Sequence, residues 1–187
     1  MVDLAPTPDN EIYGHVSDNG PGIVITERKD LRIIHMAGDI NDPTFATSAR
    51  NVIGLPLPQM AGETREGSGV RIIWLAPDRW LVIGKNSSEL VELIGKAAIN
   101  DISQGRVILR ISGHNARDLL NKGCPIDLDP QIFPSGQAVS TLLGHLNVVI
   151  DCVEANIFEI YVSRSYHHFI CEWLVRAGKE FKIQFER

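Results

Sequence analysis

With 187 residues, the chain is long enough to form one large domain or two small ones, and either can bury a hydrophobic core. Hydrophobic residues make up 44% of it and charged residues 22%, which is ordinary for a globular protein and excludes a wholly disordered chain. Because the formal net charge is −5 and Lys and Arg form no run, we expect no nucleic-acid-binding surface.

The cysteines and the apolar stretches bear on the cellular compartment. Cys124, Cys152 and Cys171 are an odd number, which disfavours a disulfide framework and favours a reducing compartment. Residues 1–14 hold acids and prolines in place of the parts of a signal peptide. No apolar stretch approaches the roughly 18–20 residues that a membrane span needs. We therefore expect a cytoplasmic protein that contacts no membrane.

The N-terminal part of the chain predicts an arm followed by two strands. Residues 1–22 are rich in Pro and Gly and predict an extended arm, either a frayed terminus or a segment that binds a partner. Residues 23–25 and 31–36 are clusters of apolar residues on either side of a charged turn, which is typical of strands.

A short helix is predicted next, over residues 44–53. Asp42 is placed as its N-cap and Pro43 at its first position, and Gly54 follows its last residue. Residues 59–69 are polar and glycine-rich and predict a loop.

A hairpin is predicted over residues 70–84. Two apolar runs flank Pro77 and Asp78, and this pair favours a type I turn. A helix capped by Ser87 or Ser88 is then expected, and its apolar face consists of Leu90, Leu93, Ile94 and Ala97.

Residues 105–133 predict a second strand and helix in the same order. The apolar run at residues 107–111 indicates a strand, and Ser112 stands where a helix N-cap belongs. The helix is expected to stop at Gly123 in a left-handed conformation, and Pro125 prevents it from resuming. This order repeats that of residues 31–58, so we interpret the chain as two structural repeats.

The last part of the chain completes the second repeat. A hairpin is predicted over residues 145–162 around a turn at 153–156, followed by a helix capped by Ser163 or Ser165. The shared order of strand, helix, strand, strand, helix indicates an α+β fold. We expect one compact domain over residues 23–187, with repeats over about residues 23–100 and 101–180.

Two patterns could carry chemistry near cysteines. His167 and Cys171 share a helix face at the spacing of zinc ligands. A buried structural cysteine is the favoured interpretation, since Phe169, Ile170, Trp173 and Leu174 surround Cys171 like a core. Cys124 follows the negative end of a helix dipole, which disfavours the thiolate that a nucleophile requires. We expect no catalytic residue and no metal site.

Charged residues on the predicted strands offer a second kind of site. Asp151 ends a buried strand, where a carboxylate is either a turn cap or a ligand contact. Arg110 interrupts an apolar strand, so one sheet face meets solvent, a partner or an anion. Asp127 and Asp129 alternate with apolar residues in an extended segment, which predicts that both acids face outward.

Several segments resemble a known family, the gamma subunits of heterotetrameric sarcosine oxidases. The resemblance lies in RIIWLAPDRWLVIG, ISGHNARDLLNKGCPIDLDPQIFPSGQ, TLLGHLNVVI and FEIYVSRSYHHFICEWL, over roughly residues 70–177. GCPIDL and YVSRSY together in one chain are the specific part. This family resembles the folate-binding part of glycine-cleavage aminomethyltransferases, an α+β fold of duplicated units.

The resemblance implies an accessory, non-catalytic subunit with alpha, beta and delta subunits as partners. The complex would oxidatively demethylate sarcosine to glycine, with tetrahydrofolate as one-carbon acceptor and with FAD, FMN and NAD on other subunits. The alternative is a free-standing folate-binding protein that holds its ligand with Asp151, Arg110 and Arg164. Asp151 lies near the hairpin position of a functional aspartate of the aminomethyltransferases, although His145, Leu146 and Asn147 replace the glycine-rich signature there.

Overall fold

The structure is a computed structural model that describes residues 12–13, 22–84, 90, 93 and 95–186. These residues fall into two compact units. Unit 1 comprises Met1–Arg28, Val107–Ser135 and Ser140–Arg187, and unit 2 comprises Lys29–Arg106 and Gly136–Val139. The predicted domain boundaries stay a prediction. Most of the predicted arm and the predicted helix that follows Ser87 or Ser88 lie outside the described residues, although Leu90 and Leu93 are described and buried.

The elements of unit 2 are β3 (Arg32–Ala37), α1 (Pro43–Ile53), β4 (Thr64–Gly67), β5 (Val70–Ala76), β6 (Arg79–Gly84) and β7 (Ala98–Asp101). Its strands form a five-stranded antiparallel sheet with the order β4-β5-β6-β3-β7. α1 packs its apolar face on the sheet, where the ring of Phe45 contacts that of Trp80 in a tilted arrangement with the centroids 5.9 Å apart. The Trp80 indole Nε1 donates to the Pro58 carbonyl at 2.7 Å, which satisfies the polar atom of this buried ring.

The strands of unit 1 are β1 (Ile12–Tyr13), β2 (Ile23–Arg28), β8 (Arg106–Ser112), β9 (Gln137–Leu143), β10 (Leu146–Glu154), β11 (Ile157–Ser163) and β12 (Ile183–Glu186). They form a seven-stranded mixed sheet with the order β1-β12-β2-β8-β11-β10-β9. β12 pairs with β2 in parallel, whereas β2 pairs with β8 and β10 with β11 in antiparallel.

Unit 1 also contains the helices α2 (Ala116–Asn121) and α3 (His167–Ala177). Arg117 of α2 lies over Phe158 of β11, and His167 of α3 lies beside Glu27 of β2. Both helices therefore lie on one face of the sheet, because Arg28 and Glu159, the sequence neighbours of Glu27 and Phe158, meet on the other face. The apolar side chains beneath them are fully buried, and they include Ile25 and Ile111, which are partners across β2 and β8. The α+β fold class predicted from the sequence is confirmed, while the interpretation as two structural repeats stays a prediction. No helix in the described part of the chain has the length and apolar character to cross a membrane.

The structure corrects the sequence analysis in unit 2 at two places. The predicted loop at residues 59–69 contains the strand β4, whose polar residues pair with β5 at the edge of the sheet. The hairpin of β5 and β6 is confirmed, but its turn is not of type I. Asp78 has a φ of 60°, whereas both central residues of a type I turn have negative φ.

Two corrections concern α2. Ser112 ends β8 and caps no helix, because α2 starts at Ala116 after Asn115. Gly123 has no positive φ. A glycine is required at this position for a different reason: a Cβ atom here would overlap the indole ring of Trp173.

The last predicted helix and its core also differ from expectation. α3 begins after the 3-10 turn Arg164–Tyr166, and neither predicted serine caps it, since Tyr166 holds the N-cap position. Ile170, Cys171 and Leu174 are buried as expected, but Phe169 is 46% exposed and was wrongly assigned to the core. A helix that rests on a sheet buries one stripe only, and Phe169 falls beside that stripe.

Candidate functional site

The sheet of unit 1 carries charged side chains on the face opposite its two helices. Arg110 on β8 donates from Nε and Nη2 to one carboxylate oxygen of Glu159 on β11, at 3.1 and 2.7 Å. Arg28 on β2 lies 3.6 Å from the same oxygen, and the hydroxyl of Tyr161 donates to the other oxygen at 3.0 Å. We name these four residues together with Asp151 the polar face.

Burial makes the contacts of Glu159 strong. Glu159 and Tyr161 are 4% and 2% exposed, so the carboxylate has few water molecules around it. Charge-assisted hydrogen bonds in such surroundings are short and well directed, and they offset the cost of removing the charge from water. The guanidinium of Arg110 therefore binds Glu159. The sequence left open whether Arg110 meets solvent, a partner or an anion, and the structure shows that it pairs with this carboxylate.

Asp151 belongs to this face by its register. It is the Cα partner of Glu159 across β10 and β11, and directly opposite residues of an antiparallel pair place their side chains on the same face. Asp151 is fully buried and makes its own interactions there. The third predicted residue, Arg164, is exposed in the 3-10 turn after β11, and its charge acts on His167. Two of the three predicted ligand residues therefore share a face.

A buried arginine on α2 forms a second polar group that the sequence analysis missed. Arg117 is 8% exposed and donates to three backbone carbonyls, those of Leu128, Phe133 (3.0 Å) and Ala155 (3.0 Å). Its guanidinium also lies over the ring of Phe158, 4.9 Å from the centroid. We name Arg117 and these three carbonyls the Arg117 network. Its sequence signal is an arginine next to Ala116 on the apolar side of a short helix.

The buried thiols are poor nucleophiles. Burial and, to a smaller extent, the charge of Glu27 together raise the pKa of Cys171 to about 12. Burial also raises the pKa of Cys152, although Arg117 opposes this shift. Both thiols therefore stay protonated near neutral pH, and a protonated thiol neither attacks an electrophile nor binds a metal ion. Cys124 is half-buried, and its backbone N–H donates to the Leu120 carbonyl at the end of α2.

His167 and Cys171, the pair at zinc-ligand spacing, lie near Glu27 of β2. The Nε2 atom of His167 is buried without a hydrogen-bond partner, and it lies 3.8 Å from a carboxylate oxygen of Glu27. Burial lowers the pKa of His167 more than the charge of Glu27 raises it. Within the described residues, no group of three or more His, Cys, Asp or Glu side chains could hold a metal ion.

Asp127 and Asp129 face outward, as the alternating pattern predicted, and each carboxylate accepts a hydrogen bond from the backbone of the same loop. The Asp127 carboxylate accepts from the backbone N–H of Asp129 at 2.9 Å, and the Asp129 carboxylate accepts from that of Gln131 at 2.8 Å. Leu128 between them is fully buried. These are turn-forming contacts, so the two acids are a structural element rather than an acid–base pair.

Comparison with known protein families finds a match over most of the chain. The family described as "Sarcosine oxidase, gamma subunit family" matches residues 37–180. A sarcosine oxidase subunit gamma from Corynebacterium sp. (strain P-1) is 31% identical over 144 residues, which are 73% of this chain and 70% of the relative. The corresponding subunit from an Arthrobacter species is 31% identical over 136 residues, covering 69% of this chain and 67% of the relative.

Two solved structures are similar in fold. A chain of the heterotetrameric sarcosine oxidase from Corynebacterium sp. U-96, in complex with pyrrole 2-carboxylate, superposes with a TM-score of 0.80 at 26% identity, over 87% of both chains. The glycine cleavage system aminomethyltransferase T from Bartonella henselae superposes with a TM-score of 0.64 at 14% identity, over 89% of this chain and 48% of the enzyme. The second likeness concerns the fold alone.

Proposed function

Because this chain belongs to the sarcosine oxidase gamma subunit family, we propose that it is an accessory subunit that supplies no catalytic group of its own. Its complex is a heterotetrameric sarcosine oxidase, which oxidatively demethylates sarcosine to glycine. The partners are then the alpha, beta and delta subunits. FAD, FMN, NAD and the site that passes the one-carbon unit to tetrahydrofolate belong to those other subunits.

The observation that carries this proposal is that the potentially reactive side chains are hydrogen-bonded within unit 1 or buried. Arg110 and Tyr161 bind Glu159, and Arg117 donates its hydrogen bonds to backbone carbonyls of its own unit. The thiols of Cys152 and Cys171 are buried with raised pKa values. Side chains used in this way stabilise a subunit and leave little to perform chemistry on a substrate.

The test is reconstitution of the complex with and without this chain. The chain is co-expressed with the other three subunits, and the eluate of a size-exclusion column is assayed for sarcosine-dependent oxygen consumption. We expect the chain alone to consume no oxygen and to co-elute with the larger subunits when they are present. A chain that elutes separately from all three subunits would contradict the accessory role, and activity of the isolated chain would contradict its non-catalytic character.

A second candidate function is the binding of a reduced folate by this chain. The observation that favours it is the placement of Asp151 and Arg110 on one polar face, since a ligand site needs a few polar groups that converge. Arg164 would be the additional cation of the site. Arg110 is already bound to Glu159, and Asp151 is fully buried with interactions of its own, so a bound folate would have to replace some of these contacts.

Calorimetry separates this candidate from the first. Titration of the isolated chain with tetrahydrofolate should release heat that Asp151→Asn diminishes. Asp151→Asn keeps the size of the side chain, so a stable variant without binding would assign the role to the carboxylate. An isotherm without heat at millimolar ligand would rule out folate binding by the isolated chain and leave the accessory role untouched.

A further inference from the structure

We propose that residues 123–135, the loop between α2 and β9, bind a larger subunit of the complex, and that Ile132 inserts into an apolar pocket with Lys or Arg at its rim. We name this segment the docking loop. The inference rests on the proposed function, because it assumes that the chain assembles with other subunits. It assigns a surface to that assembly.

Unit 1 holds the docking loop firmly at two points. The guanidinium of Arg117 donates to the carbonyls of Leu128 and Phe133, and both of these side chains are buried, at 0% and 5% exposure. The carboxamide oxygen of Asn121 accepts from the backbone N–H of Leu128 at 3.1 Å. The loop is therefore anchored to α2 by the side chains of Arg117 and Asn121.

The stretch between the two anchors is a hydrogen-bonded turn. The Asp129 carbonyl accepts from the backbone N–H groups of Ile132 and Phe133 at 2.9 and 2.7 Å. The side chain of Ile132 lies at the surface of this turn with 59% exposure, directly before the buried Phe133. The geometry thus presents one large apolar side chain on a backbone whose neighbouring residue is fixed in the core.

A single exposed apolar side chain is common and needs no explanation by itself. The rigid setting of Ile132 is what distinguishes it. Pro125, Pro130 and Pro134 of the docking loop are also exposed, and they restrict the backbone in addition to the anchors. Association costs less conformational entropy when the binding segment is already ordered, so a pre-organised apolar loop is suited to bind a partner.

The charge of the docking loop specifies the chemistry of its partner. Its sequence GCPIDLDPQIFPS holds two acids, Asp127 and Asp129, and contains no Lys, Arg or His. Both carboxylates are exposed. A partner surface with Lys or Arg around an apolar pocket complements this pattern, and such pairs at the rim of an interface act mainly on the association rate and its salt dependence.

Binding of purified variants to the co-purified alpha, beta and delta subunits tests the inference. Biolayer interferometry should show that Ile132→Asp raises the dissociation constant by about 30-fold or more, the effect of losing one interface hot spot. The matched control is Met60→Asp, which places the same charge at an apolar residue of unit 2 that is 69% exposed. We expect Met60→Asp to bind like the wild type, and both variants to keep the wild-type melting temperature.

The charge of the loop is tested separately. Asp129→Asn keeps the oxygen that accepts from Gln131 and removes the charge. We expect its association rate to depend less steeply on NaCl concentration than that of the wild type. An unchanged salt dependence would contradict the proposal that Lys or Arg side chains surround the partner's pocket.

The outcomes separate the two proposals. If the wild type binds the other subunits and Ile132→Asp binds them equally well, the docking loop is not the interface and the accessory role stands. Equal loss of binding in Met60→Asp would also overturn the assignment to the loop. If the wild type fails to bind at all, the proposed function is wrong, and this inference falls with it.

Discussion

Helix α1 of unit 2 and helices α2 and α3 of unit 1 are held in place by different means. The ends of α1 are set by its own neighbours in sequence. The Asp42 carboxylate accepts from the backbone N–H of Thr44 at 2.8 Å, and Gly54 closes the helix with a φ of 82°. Everything that starts and stops α1 lies within residues 42–54.

The two helices of unit 1 lack a capping side chain at their N-termini. Neither Asn115 before α2 nor Tyr166 before α3 makes a side-chain cap bond. The contacts that hold the helices come from far along the chain. The ring of Trp173 on α3 packs against Gly123, and the ammonium of Lys122 donates to the Ala177 carbonyl at 2.6 Å. Local rules therefore predict α1 well, while α2 and α3 depend on tertiary contacts.

Among the tests of this difference, removal of the Arg117 guanidinium should produce the largest change in the free energy of unfolding. Arg117→Met keeps much of the apolar stem and leaves the three carbonyls of the network without their buried donor. We expect the free energy of unfolding to fall by about 3–5 kcal/mol, because each buried acceptor that loses its partner carries a desolvation cost. Urea denaturation followed by circular dichroism measures it.

The matched control is Arg50→Met in α1. Arg50 is an exposed arginine in the last turn of that helix, and we expect a change within about 0.5 kcal/mol. Equal effects of the two substitutions would mean that Arg117 is no more important than a surface arginine, and the contrast between the helices would fail.

The glycines that follow α1 and α2 give the next largest effect. Gly123→Ala forces a methyl group into the Trp173 ring and should cost about 1–3 kcal/mol, as overpacking does. Gly54→Ala meets no atom within 4 Å, but it must hold a φ of 82° and should cost about 1 kcal/mol. Urea denaturation of both variants supplies the comparison.

A second substitution distinguishes the two causes. Trp173→Phe removes the part of the indole that the new methyl group would overlap, so the cost of Gly123→Ala should become smaller in the Trp173→Phe background. The cost of Gly54→Ala should be the same in the wild-type and Trp173→Phe backgrounds, because its cause is the backbone. If Trp173→Phe leaves the cost of Gly123→Ala unchanged, packing against Trp173 is not the reason for this glycine.

These contrasts explain which parts of the fold the sequence could predict. The family resemblance and the α+β class are confirmed, and α1 and both hairpins were found from residues that are close together in the chain. β4 was missed because Thr64–Gly67 is polar and glycine-rich, and only its pairing with β5 makes it a strand. Turn chemistry failed at Asp78, since the proline before it is compatible with more than one turn type.

The polar groups were less predictable than the strands. Arg110 and Asp151 were identified as unusual residues of apolar strands, but the partner of Arg110 lies 49 residues away on β11. No spacing rule connects residues at that distance. Arg117 was missed for the same reason, because its acceptors are Ala155 and two residues of a loop that has no periodic pattern.

His167, the first residue of α3, gives the smallest expected effect and tests the tertiary contacts of a helix without a cap. Its Nε2 is buried against Glu27, while Arg164 and His168 oppose protonation through their charges. The pKa of His167 in the folded protein is lowered, so the unfolded chain binds the proton more readily. Stability is therefore retained above the unfolded pKa of about 6.5 and is lost as pH falls below it, by at most about 1.4 kcal/mol per pH unit.

The pH dependence of the unfolding free energy between pH 7.5 and 5 measures this effect. His167→Gln cannot take up the proton, so the decline in stability at low pH should be less steep than in the wild type. His168→Gln is the comparison variant, at a side chain that is 62% exposed and pairs with Glu172 at the surface. It removes one of the charges that oppose protonation of His167, so it should reduce the slope less than His167→Gln does. If both variants reduce the slope equally, the burial of His167 against β2 does not determine its protonation, and α3 is held less closely at its first turn than its contact with Glu27 implies.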